Sequence, residues 1–182
     1  MNKCNLCQEA ELNVGDRTNY GAIIIYKIGD DKDGWFATLS PKTGGDPDKD
    51  FSIQLMPCAH IKYFSDINSN LKLAKNYGII FAKINHAISE IIKDQNPNTK
   101  KISLGTYGKC KHEDEHIHIK IFPYRGNIGQ PFTTDSSFGK NLHIDDSGKE
   151  YIKMIPITKV NLKEQRFKKL AKQLIQIIKN EK

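Results

Sequence analysis

The chain has 182 residues, 38% of them hydrophobic and 27% charged, a balance that belongs to a folded globular chain and excludes an extended disordered one. Residues Met1 to Asn13 hold no apolar run of the kind that directs secretion, and no stretch approaches the roughly 18 apolar residues of a membrane span, so a cytoplasmic location with no membrane partner is expected. The net charge is lopsided: residues 159–182 carry +6 of the +7, which marks a basic C-terminal element and gives only weak support to a nucleic-acid surface.

Taken in order, Tyr20 to Tyr26 is rich in β-branched and aromatic residues and predicts a strand. The polar run Gly29 to Gly34 predicts a turn, and Trp35 to Leu39 a second strand stopped by Ser40-Pro41. A loop from Thr43 to Asp50 leads to a third, alternating strand from Phe51 to Met56, ended by Pro57. Ser65 or Asp66 is expected to cap a long helix, because Ala74, Tyr77, Phe81, Ile84, Ile88 and Ile91 recur at spacings of three and four. Asn96-Pro97-Asn98 ends it. Lys101 to Gly105 and His116 to Phe122 predict two further strands. Gly126 to Gly148 reads as irregular, Tyr151 to Ile157 as a short strand, and the chain closes on a helix with Phe167, Leu170, Ala171, Leu174, Ile177 and Ile178 along one face. Hairpin-linked strands with a long helix predict an α+β class.

Four cysteines without a secretory signal argue against a disulfide framework. Cys4 and Cys7 have the spacing of a chelating pair, and zinc in structural sites takes four thiolate or imidazole ligands. A redox reading of the pair expects a thioredoxin-like strand and helix around it, whereas this pair precedes the first strand. Cys58 and Cys110 stand alone and read as free thiols, each close in sequence to a histidine, His60 and His112.

The most telling stretch is His116-Ile117-His118-Ile119-Lys120. On a strand, alternate side chains share a face, so His116, His118 and Lys120 are expected on one side and Ile117, Ile119 and Ile121 on the other. This stretch follows, in order, Cys4-x-x-Cys7, a strand pair, a strand ending in Met56-Pro57-Cys58-Ala59-His60, and a long helix. The combination resembles the histidine triad (HIT) superfamily of nucleotidyl hydrolases and transferases over roughly residues 4–124.

The resemblance implies a HIT-like antiparallel sheet with the long helix on one face. Residues 1–125 would form the core with the N-terminal zinc pair, and residues 126–182 an extended loop, a short strand and a basic amphipathic helix packed on that core. It implies a structural zinc on Cys4, Cys7, His60 and His116, with His112 as the competitor for the last place. It also implies that His118 attacks the α-phosphorus of a nucleoside phosphate derivative, such as a dinucleoside polyphosphate, a nucleotide sugar or a phosphoramidate, and carries the nucleotidyl group covalently. Imidazole suits that task near neutral pH.

Two positions depart from the family pattern. Lys120 stands where the third histidine is expected, a place that is Gln in the uridylyltransferase and dinucleoside-tetraphosphate phosphorylase branches. His112 stands where the family often has Gln or Asn. Lys120, His112 and Arg125 are the expected phosphate ligands. Tyr26, Trp35 and Phe36 are the expected nucleoside wall, although each taken singly reads as core packing. A nucleotide-type small molecule is the expected partner, and no motif decides whether the chain is a homodimer. Lys120 and the missing Gln also favour an alternative, a non-catalytic nucleotide-binding or zinc-stabilised interaction module. The basic C-terminal helix alone supports a third reading, processing of nucleic-acid ends.

Overall fold

The computed structural model describes residues 4–44, 46–97, 103–109, 116–124, 138–156 and 159–181; for 103–109, 124, 138–143 and 151–156 it describes the backbone alone. The chain opens with one short helix, α1 (Asn5–Glu9). The strands follow as β1 (Ile23–Ile28), β2 (Trp35–Leu39), β3 (Lys42–Thr43) and β4 (Ile53–Pro57). A 3-10 turn (Phe64–Ser69) leads into α2 (Leu71–Gln95), then β5 (Ser103–Lys109) and β6 (His118–Tyr124). A hairpin of β7 (Phe138–Ile144) and β8 (Glu150–Pro156), a short β9 (Val160–Asn161) and α3 (Glu164–Asn180) complete it. The class is α+β.

Five strands form one sheet in the order β1-β2-β4-β6-β5, with every neighbouring pair antiparallel. Its two faces differ in what covers them. Ile23, Trp35, Ala37, Leu39, Ile53, Leu55, Ile119 and Ile121 point to one face and pack against α2 and α3. That face explains both helices: Leu73, Ile80, Ile84, Ile88 and Ile91 of α2, and Phe167, Leu170, Leu174 and Ile178 of α3, are the apolar stripes that need burial. Each such side chain contributes about 1.5–3 kcal/mol by leaving water.

On the opposite face Ile24, Phe36 and Met56 are covered by Leu6 and Ala10 from α1 and the residue that follows it. Because both faces are covered, β2 is buried throughout rather than alternating.

The sheet and α2 are tied at the β1–β2 turn. Asn76 of α2 donates from Nδ2 to the carbonyl and carboxylate of Asp33, and Lys72 pairs with the same carboxylate at 2.7 Å. Gly29 in that turn has φ +76°, and a Cβ there would lie 2.6 Å from Asp33 Oδ1 and 2.7 Å from Asn76 Nδ2, so only glycine fits. Trp35, fully buried, donates from Nε1 to the Leu73 carbonyl in the first turn of α2.

Several local expectations change. The cap of α2 is Asn70, whose side chain accepts from the amides of Lys72 and Leu73; Ser65 and Asp66 lie inside the preceding 3-10 turn. The segment expected to be irregular up to Gly148 contains β7 from residue 138, paired with β8 across a turn in which Asp145 Oδ1 accepts from Ser147 and Lys149. His116 precedes β6 instead of lying on it. The N-terminal pair sits at the start of a short helix, α1, with Cys4 as its N-cap and Cys7 within it. No helix among the described residues is long and apolar enough to cross a membrane.

Candidate functional site

Four residues from three distant segments converge beside the start of β6. Cys4 is the N-cap of α1, and its Sγ accepts from the Cys7 amide at 3.4 Å. One helical turn therefore sets both sulfurs on the same side, 3.1 Å apart. His60 arrives three residues after β4 ends at Pro57. Its Nδ1 lies 3.4 Å from Cys7 Sγ. His116 comes from the segment before β6, which is held in place by the Ile117 amide donating to the Ile61 carbonyl. Its Nδ1 lies 3.7 Å from the same sulfur. The two imidazoles are tilted by 54° with centroids 5.5 Å apart.

The donor atoms of Cys4, Cys7, His60 and His116 all lie within 4.8 Å of one another. A four-coordinate ion with metal–sulfur bonds of about 2.3 Å and metal–nitrogen bonds of about 2.0 Å needs donor–donor edges of roughly 3.3–3.8 Å. The spacings of Cys7 Sγ from the two imidazole nitrogens, 3.4 and 3.7 Å, fit that size, the two sulfurs lie closer than it, and two thiolates with two imidazoles are the donor set of a closed structural site. Burial, then the neighbouring His60 and His118, push the His116 ring down to about 4, so it is neutral and able to bind a metal near pH 7. Its Nε2 is buried and has no hydrogen-bond partner among the described residues. All four ligands expected from the resemblance are thus brought together, while the competitor His112 lies outside the described residues.

The other end of α1 is also fixed. Lys27 on β1 donates from Nζ to the carbonyls of Ala10 at 2.6 Å and Leu12 at 2.8 Å, closing the end of the helix. No sequence pattern singled out Lys27; it lies on the same face as Phe36, its partner in the ladder, and so under α1.

His118 and Lys120 lie on the sheet face opposite the helices, because Ile119 and Ile121 between and beyond them point into the main core. The pair is therefore side by side, as the alternation predicts, with His116 one step away in the metal-ligand cluster. His118 is 5% exposed and Lys120 3%. Lys120 Nζ lies 5.9 Å from the centroid of the Phe122 ring, within reach of a cation–π contact. Lys120 is paired across the ladder with Gln54, and Gln54 with Thr38. Thr38 is fully buried and its hydroxyl has no hydrogen-bond partner among the described residues. Neither Gln54 nor Thr38 was singled out by sequence; a polar residue at an inward position of an otherwise apolar strand is the signal that finds them.

The expected nucleoside wall does not assemble. Trp35 and Tyr26 lie on the helix face, where the Trp35 and Tyr77 rings meet at 5.0 Å with a tilt of 47°, while Phe36 lies on the opposite face beneath α1. Adjacent residues on a strand cannot share a face, so Trp35 and Phe36 were never compatible with one wall. The Tyr26 hydroxyl is pushed up by burial and by Glu181, in keeping with a place beside the core. Arg125, like His112, lies outside the described residues. Cys58 packs beside Met56 and Phe36, and burial pushes its thiol up to about 11.

No family model, curated protein or solved structure matches the chain.

Proposed function

We propose that the protein is a histidine-triad-like nucleotidyl hydrolase or transferase whose Cys4, Cys7, His60 and His116 hold a structural zinc ion. One observation carries the reading. His116 joins a four-donor cluster, and two residues later His118 and Lys120 stand together on one face of the adjoining strand. A zinc at the cluster would supply no reaction chemistry; it would fix the segment that leads into β6.

In this reading an imidazole nitrogen of His118 attacks the α-phosphorus of a nucleoside phosphate derivative. The P–N bond forms as the bond to the leaving group breaks, and water or an acceptor hydroxyl then takes the nucleotidyl group and frees the ring. Lys120 holds a phosphate oxygen through its fixed charge, since an ammonium is a poor proton shuttle near pH 7. His112 and Arg125 are the remaining phosphate ligands in the proposal. The test is mass spectrometry of protein quenched during turnover of a dinucleoside polyphosphate or a nucleoside phosphoramidate. An acid-labile gain of one nucleotide in wild type, absent in His118→Ala, is expected; equal turnover by His118→Ala overturns the assignment.

A second reading is favoured by burial. With His118 and Lys120 only 5% and 3% exposed, a zinc-stabilised interaction module without catalysis accounts for the same residues. Nucleotide binding or zinc content without turnover of any substrate in a panel would select it.

A further inference from the structure

We infer that Cys4 and Cys7 form a redox latch, in which oxidation of the pair to a disulfide ejects the bound metal and frees α1 from the sheet. The inference rests on the metal reading above and concerns how that site is regulated.

Three observations carry it. The two sulfurs are 3.1 Å apart on a single helical turn, closer than the roughly 3.8 Å edge between thiolates on one zinc ion, so bond formation needs only a small further approach. Both cysteines are half-buried rather than enclosed, so a small oxidant reaches them. Finally, α1 has two fastenings of different chemistry. Its far end is held by Lys27 on the carbonyls of Ala10 and Leu12, which no oxidant changes. Its near end is held where Cys7 Sγ meets His60 and His116, with Cys4 Sγ completing the four-donor cluster, and there oxidation removes both thiolates at once.

What α1 covers gives the latch a consequence. Leu6 and Ala10 close over Ile24, Phe36 and Met56, the same sheet face that presents His118 and Lys120. Met56 and His118 share that face because their neighbours Leu55 and Ile119 pair across the ladder on the other. Losing the near fastening lets the segment from Cys4 to Leu12 lift about its Lys27 end, and uncovers that face.

The oxidant is a low-molecular-weight disulfide. One thiolate attacks it, forming a mixed disulfide and expelling one thiolate of the reagent. The second cysteine sulfur then attacks the mixed disulfide and expels the other. The two protein sulfurs lose two electrons, the reagent gains two, and the metal ion, left with two imidazole ligands, leaves as the dication.

The test titrates zinc-loaded full-length protein with glutathione disulfide under anaerobic conditions. Three things are read: zinc released to a chromogenic chelator, disulfides located by peptide mapping, and amide hydrogen exchange. One zinc released per Cys4–Cys7 disulfide is expected, with exchange at residues 6–12 faster by tenfold or more, both reversed by dithiothreitol and zinc. A Cys58→Ser/Cys110→Ser variant, which keeps only the two latch thiols, should behave alike. Zinc retained through the titration, or oxidation falling on Cys58 or Cys110 instead, overturns the latch and leaves the metal reading standing. Zinc lost with unchanged exchange at residues 6–12 overturns the release of α1. Protein that carries no zinc after expression in zinc-replete medium overturns the metal reading, and the coupling with it.

Discussion

Cys7 and His116 are 109 residues apart in the chain, yet Cys7 Sγ lies 3.7 Å from His116 Nδ1. The contact links the N-terminal helix to the segment that enters β6. A bound metal would turn this proximity into a fastening between α1 and the segment that leads into β6.

Purified protein is expected to carry one zinc per chain, and Cys4→Ser/Cys7→Ser to carry none, by elemental analysis. Metal binding is linked to folding, so at free zinc a thousandfold above its dissociation constant the folded state gains about 4 kcal/mol. Thermal unfolding with and without a chelator should show that loss in wild type and none in the double variant. Unchanged zinc in the double variant would place the ion elsewhere.

The legibility of the chain divides along physical lines. β1, β2, β4, β6, α2 and α3 were readable because each buries a face, and burial writes a period of two or of about 3.6 into the sequence. The four-donor cluster was readable through the resemblance, since spacing alone names only Cys4 and Cys7 as a pair. α1 was not readable: five residues, Asn-Leu-Cys-Gln-Glu, carry too little periodicity, and its helix is fixed by contacts from Lys27 and the cluster. Asn70 lost to Ser65 and Asp66 as the expected cap because all three can cap, and the 3-10 turn before it has no strong sequence signature. Phe138–Ile144 was missed because Gly, Ser and Thr around it resemble a loop, and its partner strand decides the matter.

Two glycines should respond to alanine with opposite signs. Gly29→Ala places a methyl group against Asp33 Oδ1 and Asn76 Nδ2 at a φ of +76°, and is expected to cost about 2–4 kcal/mol. Gly78→Ala, inside α2 where a Cβ meets nothing within 4 Å, should stabilise by about 0.5–1 kcal/mol. Urea unfolding of both variants checks the pair, and a loss at Gly78→Ala would mean that this helix face is covered in solution.

Cys58 should resist alkylation. Its thiol is pushed from 9.0 up to about 11 by burial, so at pH 8 the reactive thiolate is scarce. After zinc is chelated, iodoacetamide at pH 8 should label Cys4 and Cys7 before Cys58, as read by peptide mapping. The same shift has a stability sign. The folded state keeps the proton that the unfolded state loses, so this contribution is complete below pH 9 and fades as pH rises towards 11. Cys58→Ala should flatten that alkaline decline.

In the proposed reaction Lys120 offers the sharpest separation between a binding group and a reacting group. It shares a sheet face with His118 and is almost fully buried, so a bound anion there meets a charge poorly screened by water. A charge-assisted hydrogen bond of this kind contributes about 1.5–3 kcal/mol, which converts to a rise in KM of about 10- to 150-fold in Lys120→Gln. Turnover at saturating nucleotide should change far less, because glutamine still donates a hydrogen bond and His118 still attacks. His118→Ala should show the reverse pattern, with nucleotide affinity largely kept and kcat abolished. Steady-state kinetics and equilibrium binding on both variants check the division of labour. If Lys120→Gln leaves KM and affinity at wild-type values, the ammonium is not in contact with the phosphate. Should kcat fall as steeply as in His118→Ala, Lys120 acts in the transition state, and its role moves from holding the substrate to stabilising charge at the reacting phosphorus.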